Sequence, residues 1–198
     1  MKIHDISQEV FSCAVYPGDP APHKQTLSDM KKGALYNLTA FSMCAHNGTH
    51  IDAPRHFIAD GKDVQELSLS SFVGLAYIAE CVGEISADGA KDILAKAKNA
   101  RDGAEKRILI KGSALVTESA AEVFAAAETL LVGVEGQTIG PENAPMKVHK
   151  ILLGAGTALL EGARLGEAKE GACFLSAAPL MLAGADGAPC RAYVIELE

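Results

Sequence analysis

The sequence lacks several features that define whole classes of protein. Its 198 residues include no tryptophan, and its five cysteines are odd in number, far apart and never arranged as a C-x-x-C pair. This usage argues against a disulfide scaffold and predicts reduced, mostly buried thiols in a cytoplasmic protein. No neighbouring residue indicates an activated thiolate, so a catalytic cysteine is not favoured.

Basic runs and long apolar runs are also missing. Eighteen Lys+Arg stand against twenty-five Asp+Glu, giving a net charge of -7, and no run of five basic residues occurs. A protein that binds the phosphate backbone needs clustered Lys and Arg, so nucleic acid is not an expected partner. The longest apolar stretches, such as residues 151–160, fall short of the ~20 residues that span a bilayer, and the first residues have no apolar signal core. The sequence predicts neither a membrane nor a nucleic-acid partner.

The pattern of apolar residues predicts one α/β domain over residues 1–198. Strands are predicted at residues 75–79, 107–110, 130–134 and 192–195, several of them apolar on both faces. Helices are predicted at residues 90–98 and 119–127, the second opened by a capping box from Ser119 to Glu122. The first half of the chain has a more purely β character.

One segment concentrates the residues that carry chemistry. Three of the six histidines and one aspartate fall within eleven residues: His46, His50, Asp52 and His56. Their offsets from the first are 4, 6 and 10, so in extended backbone all four side chains point to one face. Gly48 and Pro54 disfavour a helix here, which places the cluster on a strand end that runs into a loop.

Three imidazoles and a carboxylate on one face are suited to a divalent metal, with zinc and manganese both compatible. A competing interpretation is the two-histidine, one-carboxylate iron site of an oxygenase, formed by His50, Asp52 and the distant His149. That site would leave His46 and His56 without a role. Ordinary hydrogen-bonded loop histidines are the remaining alternative.

The segment from His46 to His56 reads H-x-G-T-H-x-D-A-P-x-H and resembles the signature of the metal-dependent cyclase-like hydrolase family, which includes bacterial kynurenine formamidase and isatin hydrolase. Residues 15–19 resemble the family's V-[WY]-P-G-D loop, and residues 57–61 continue the histidine motif. Residues 159–162 resemble its L-E-G ligand segment, and residues 178–180 match a segment that follows. The resemblance therefore spans nearly the whole chain.

The resemblance implies a ligand set and a reaction. His46, His50 and Asp52 would hold one metal, and Asp52 and Glu161 would bridge to a second that His149 also binds. The cofactor would be zinc or manganese, with one or two ions per subunit, and His56 would be the general acid/base. The implied substrate is a small-molecule amide, either an aryl formamide such as N-formylkynurenine or a cyclic amide of the isatin type. A metal-binding or ligand-binding protein that has lost the chemistry is a further alternative.

The resemblance also implies a swivelling β/β/α fold, in which a mixed sheet forms a partly open barrel with flanking helices, and a homodimer or higher even oligomer. Two departures bear on the substrate. Tyr16 stands where related kynurenine formamidases usually carry a tryptophan that lines the pocket, and residues 133–138 replace a G-x-D-[ST] element. Tyr16 and Phe57 are the expected substrate-binding residues.

Overall fold

The computed structural model describes residues 1–141 and 144–197. Over these residues the chain forms thirteen strands and four α-helices. The strands are β1 (Ile3–Asp5), β2 (His23–Ser28), β3 (Leu38–Ser42), β4 (His50–Asp52), β5 (Val73–Glu80), β6 (Gly83–Ile85), β7 (Arg107–Lys111), β8 (Ala114–Val116), β9 (Leu131–Val134), β10 (Ala158–Glu161), β11 (Gly171–Ser176), β12 (Gly187–Pro189) and β13 (Tyr193–Glu196). The helices are α1 (Leu69–Phe72), α2 (Ala87–Ala100), α3 (Glu118–Ala126) and α4 (Met146–Gly154).

Nine strands form one strongly curled mixed sheet in the order β1-β13-β11-β5-β7-β9-β10-β4-β12. The central strands β5, β7, β9 and β10 run parallel, with a crossover connection leading from each to the next. The outer strands pair antiparallel. The sheet forms half of a barrel with few flanking helices. The predicted fold class, a mixed sheet in a partly open barrel with helices outside, is confirmed.

Apolar side chains cover both faces of the central strands. Ile108 and Val132 pack with Phe124 of α3 in one core cluster, whereas Leu109 and Leu160 belong to a second cluster on the opposite face. A strand buried on both faces must be apolar at successive positions, which explains its continuous apolar pattern. The strands predicted at residues 75–79, 107–110, 130–134 and 192–195 correspond to β5, β7, β9 and β13.

The helix predictions need one correction. The predicted helix at residues 90–98 lies inside α2, which Ser86 caps by accepting a hydrogen bond from Gly89 N at 3.2 Å. The capping box predicted at Ser119 is wrong, because α3 begins earlier and its cap is Thr117, whose Oγ1 accepts from Ala120 N at 3.2 Å. A hydroxyl residue within the first turn of a helix can mimic a cap in sequence when the true cap is also a hydroxyl residue.

The prediction for the cysteines holds in part. All five are free thiols, but only Cys173 is buried, and the other four are half-buried. Burial raises the pKa of Cys173 and of Cys190 to about 12, so these two thiols are poor nucleophiles. Among the described residues, the helices are too short or too polar to cross a bilayer.

Candidate metal centre

The residues from His46 to His56 lie in three kinds of backbone structure: a turn, a strand and a 3-10 helix. Only residues His50–Asp52 form a strand, β4, and the side chain of Ile51 between them belongs to the core cluster that contains Leu109 and Leu160. His46 lies in a turn before the strand, and His56 ends a 3-10 helix that begins at Pro54. The prediction that extended backbone aligns all four side chains is therefore wrong outside β4. The four side chains converge nevertheless, because the turn and the 3-10 helix fold both ends back toward the strand.

Gly48 is what allows the turn before β4. Its φ is +65°, in the left-handed region that glycine enters without strain, and a Cβ there would lie 2.8 Å from Cys13 Cβ. Its N–H donates to Ala14 O at 3.1 Å, and its carbonyl accepts from His50 Nδ1 at 2.9 Å. The turn thus anchors the chain and orients the first imidazole of β4.

Strand pairing and the helix α4 bring the two distant candidate ligands to β4. Glu161, the last residue of β10, lies directly opposite His50 in the antiparallel ladder. His149 projects from α4 and places its Nε2 3.1 Å from Glu161 Oε1 and 3.6 Å from Asp52 Oδ2. His50 Nε2 lies 3.3 Å from Asp52 Oδ1 and 3.6 Å from Glu161 Oε2. All four residues are at least 97% buried, so neither His149 nor Glu161 is a surface residue.

The two buried histidines are oriented by backbone carbonyls. Each donates its Nδ1–H, His50 to Gly48 O at 2.9 Å and His149 to Pro145 O at 2.8 Å, which leaves both Nε2 lone pairs facing the carboxylates. A second hydrogen bond of this kind fixes the tautomer and orientation of metal-ligating histidines in general. Ile139 N donates to Glu161 Oε1 at 2.7 Å and holds that carboxylate in place.

The residues fit a divalent cation. Two sets, His46-His50-Asp52 and Asp52-His149-Glu161, each place their ligand atoms within 4.8 Å of one another and share Asp52. Within the site, His50 Nε2 and Asp52 Oδ2 are buried and have no hydrogen-bond partner. A buried polar atom without a partner costs about 1–3 kcal/mol, and a metal bond would satisfy both atoms. Imidazole and carboxylate are the donors that zinc and manganese accept.

The charges of the site require compensation. Burial acts to lower the pKa of His50, but the carboxylates of Asp52 and Glu161 outweigh it and raise the pKa to about 10. Burial acts to raise the pKa of Asp52, yet the neighbouring imidazoles of His46 and His50 hold it well below its usual range. The Asp52 carboxylate therefore stays ionised because the imidazoles beside it carry positive charge. A divalent cation can supply that charge in place of protonated histidines.

His56 lies beside the two ligand sets. Its ring stacks on His46 with centroids 4.0 Å apart, and its Nδ1 lies 3.2 Å from Asp186 Oδ2. Burial lowers the pKa of His56 from its ordinary value despite the opposing charges of Asp52 and Asp186. A neutral imidazole at neutral pH can accept a proton, which suits a general base.

Comparisons with known proteins agree with this geometry. Residues 4–141 match a family described as "Putative cyclase". The chain belongs to the cyclase family. It is 30% identical to a kynurenine formamidase from Delftia acidovorans, and the match covers 98% of this chain and 97% of that one.

Solved structures extend the likeness of this cyclase family member. A predicted metal-dependent hydrolase from Bacillus stearothermophilus is 26% identical, with a TM-score of 0.78 over 98% of this chain and 97% of that chain. An isatin hydrolase bound to the product analogue thioisatinate has a TM-score of 0.86 over 100% of this chain and 93% of that chain. Its identity of 17% means that this likeness concerns the fold.

The two expected pocket residues occupy different positions. Phe57 lies against the site, with its ring 4.4 Å from that of His56 and 4.6 Å from that of His149. Tyr16 is half-buried in a loop that reaches the histidine segment through the bond from Gly48 N to Ala14 O. Substrate contact by either residue stays a prediction.

Residues 133–138, which depart from the family pattern, form hydrogen bonds with segments next to the site. Glu135 accepts from Gly112 N at 2.7 Å and from Leu165 N at 2.9 Å, which ties three loops together. Gln137 donates to Gly48 O at 3.3 Å and accepts from Gln8 Nε2 at 2.8 Å. This segment therefore braces the turn that carries His46, even though it differs from the family pattern.

Sequence reasoning missed Asp186, which contacts both His46 and His56. It lies 130 residues from His56, between alanine and glycine in an otherwise ordinary turn. No spacing or composition signal marks it. Only the pairing of β12 with β4 brings it to the site.

Proposed function

We propose that this cyclase family member is a metal-dependent hydrolase of a non-peptide carbon-nitrogen bond in an amide. The observation that carries the proposal is the pair of candidate ligand sets that share the buried Asp52, with His56 beside them. An aryl formamide of the N-formylkynurenine type is the first substrate class, because the relative from Delftia acidovorans is a kynurenine formamidase. A cyclic amide is the second, because the isatin hydrolase shares the fold and this chain has Tyr16 where the formamidase pattern has tryptophan.

His46, His50 and Asp52 would hold one ion, and Asp52, His149 and Glu161 would hold a second, with zinc or manganese as the metal. Such an ion lowers the pKa of a bound water toward neutrality and polarises the carbonyl under attack. The shared carboxylate of Asp52 keeps the two sets adjacent. The Ile139 N–H that donates to Glu161, and the backbone carbonyls that accept from His50 and His149, hold these side chains in place.

His56 would move the proton. As the water oxygen bonds to the carbonyl carbon, His56 accepts the proton that the water loses and donates it to the nitrogen as the carbon-nitrogen bond breaks. An aryl formamide then gives formate and an aromatic amine, whereas a cyclic amide opens to one amino acid. Phe57, next to His56, would form part of the wall that contacts the substrate ring, and Tyr16 would form another.

The test compares two variants of the site. Asp52→Ala removes a member of both ligand sets, so bound metal and turnover are expected to fall together, the latter by at least about a thousandfold. His56→Ala is expected to keep the metal while lowering kcat. Metal content by mass spectrometry and turnover of aryl formamides, cyclic imides and lactams give both readouts. Full activity in metal-free protein would refute the proposal, and oxygen consumption with ferrous iron would instead favour the oxygenase.

We also propose that a second copy of the chain packs on the β2–β3 hairpin. This hairpin stands apart from the main sheet and exposes apolar side chains, including 57% of Phe41 and 53% of Leu27. Large exposed apolar side chains are common at protein interfaces, and the family resemblance predicts an even oligomer. Sedimentation is expected to give a dimer or higher even oligomer for the native chain and a monomer for Phe41→Asp. A monomeric native chain would refute this.

The cytoplasmic location stays a prediction.

A further inference from the structure

A third carboxylate, Asp186, lies outside both proposed ligand sets yet contacts two of the histidines. Its Oδ2 lies 2.9 Å from His46 Nε2 and 3.2 Å from His56 Nδ1. One oxygen thus joins a proposed metal ligand to the proposed general base. The two imidazole rings are stacked 4.0 Å apart, so both present a nitrogen to the same carboxylate.

The strand β12, which begins at the next residue, holds Asp186 in this position. Its carbonyl accepts from Ala53 N at 2.9 Å, and Gly187, the next residue, pairs with Asp52 in the β12–β4 ladder. A Cβ at Gly187 would lie 2.7 Å from Ile51 O and 2.8 Å from His46 Cε1, so only glycine permits this close approach. A carboxylate placed by strand pairing is more precisely positioned than one on a free loop.

The turn before Asp186 is anchored as well. Gly184 N donates to Asp63 Oδ2 at 2.6 Å, and Val64 N donates to Ala185 O at 3.0 Å. The Asp186 side chain is nevertheless 45% exposed, so substitution there leaves no cavity in the core. Its side-chain contacts within the site are the two histidine nitrogens, so a role in orienting them can be tested apart from a role in folding.

On the basis of the proposed function, we propose that Asp186 is a positioning residue that sets the tautomers of His56 and His46. By accepting the Nδ1–H of His56, it leaves the Nε2 lone pair of that ring free to receive the proton of the attacking water. By accepting the Nε2–H of His46, it leaves Nδ1 of that ring directed at Asp52, whose Oδ1 lies 2.8 Å away. A carboxylate that orients a catalytic histidine in this way is worth orders of magnitude in kcat in other enzymes.

The experiment compares the zinc-loaded full chain with the variants Asp186→Asn and Asp186→Glu. Asp92→Asn is the matched control, because Asp92 is an exposed aspartate of α2. Asparagine preserves shape but its amide can donate to Nδ1, which favours the opposite tautomer. We expect Asp186→Asn to lower kcat by about 10–100-fold with little change in KM or bound zinc. Glutamate is expected to restore part of kcat, and the control to match the native chain.

Long-range nitrogen-proton NMR of the histidine rings gives a readout that does not depend on turnover, with His56 assigned from the His56→Gln variant. The native chain is expected to show His56 protonated at Nδ1, and Asp186→Asn to show the Nε2–H form or a mixture. An unchanged His56 tautomer in Asp186→Asn would overturn the proposal. Loss of zinc in that variant would also overturn it, because Asp186 would then be a ligand together with His46 and His56. If the native chain hydrolyses no amide, the proposed function fails, and the tautomer measurement still decides the role of Asp186.

Discussion

Two regions of the same sheet are equally buried but contain opposite chemistry. At the metal-site edge, β4, β10 and α4 bury His50, Asp52, His149 and Glu161. At the helix-packed centre, β7, β9 and α3 bury isoleucine, valine and phenylalanine to the same extent. Burying apolar groups stabilises the folded chain, whereas burying charges costs free energy unless each is partnered. The centre therefore stabilises the folded chain, whereas the edge buries polar groups for which a bound cation would be the partner.

The largest expected effect on stability comes from the centre. Phe124→Ala removes a fully buried ring between α3 and the sheet, so the free energy of unfolding should fall by about 3–5 kcal/mol. Urea denaturation measures this loss. Val82→Ala, at a side chain that is 85% exposed, is the control and should change stability little. If Phe124→Ala also weakened zinc affinity in the remaining folded protein, the separation of the two regions would be wrong.

The edge should gain stability when the metal binds. Zinc at a hundredfold excess over its Kd is expected to raise the free energy of unfolding by about 2.7 kcal/mol, because only the folded chain holds the complete ligand set. Asp52→Ala should lose most of this increment, since Asp52 belongs to both sets. Thermal unfolding with and without zinc measures it, using Phe124→Ala as the matched variant that should keep the increment. Equal stabilisation of Asp52→Ala would show that zinc acts elsewhere.

Arg107 is the exception that sharpens the comparison, because it is a charge buried at the apolar centre. It is 7% exposed, and its guanidinium donates to the carbonyls of Ser70, Ser71 and Leu75. Arg107→Met would leave these carbonyls without their donors, which is expected to cost about 1–3 kcal/mol with no change in metal content. Urea denaturation would measure the loss. An unchanged free energy of unfolding would mean that water takes the place of the guanidinium as the donor to these carbonyls.

The sequence allowed prediction of the centre better than of the edge. Continuous apolar runs identify β7 and β9, because a strand buried on both faces has no other pattern available. The motif identifies His50 and Asp52, but their convergence with Glu161 depends on the register of β10 against β4, which no local pattern encodes. Asp186 shows most clearly which site residues cannot be predicted from the sequence. Its place beside His56 is set by the pairing of β12, a three-residue strand with little signal of its own.

The smallest expected effect tests the start of α3, where the sequence indicated the wrong cap. Thr117 Oγ1 accepts from Ala120 N at 3.2 Å and donates to Ile85 O at 2.7 Å, whereas Ser119 lies exposed inside the helix. Thr117→Ala should therefore cost about 1 kcal/mol of unfolding free energy, and Ser119→Ala should be close to neutral because alanine suits a helix interior. Chemical denaturation of the two variants side by side measures the difference. Since α3 packs on the apolar centre, neither change should alter zinc affinity, and a larger loss in Ser119→Ala would restore the cap predicted from sequence.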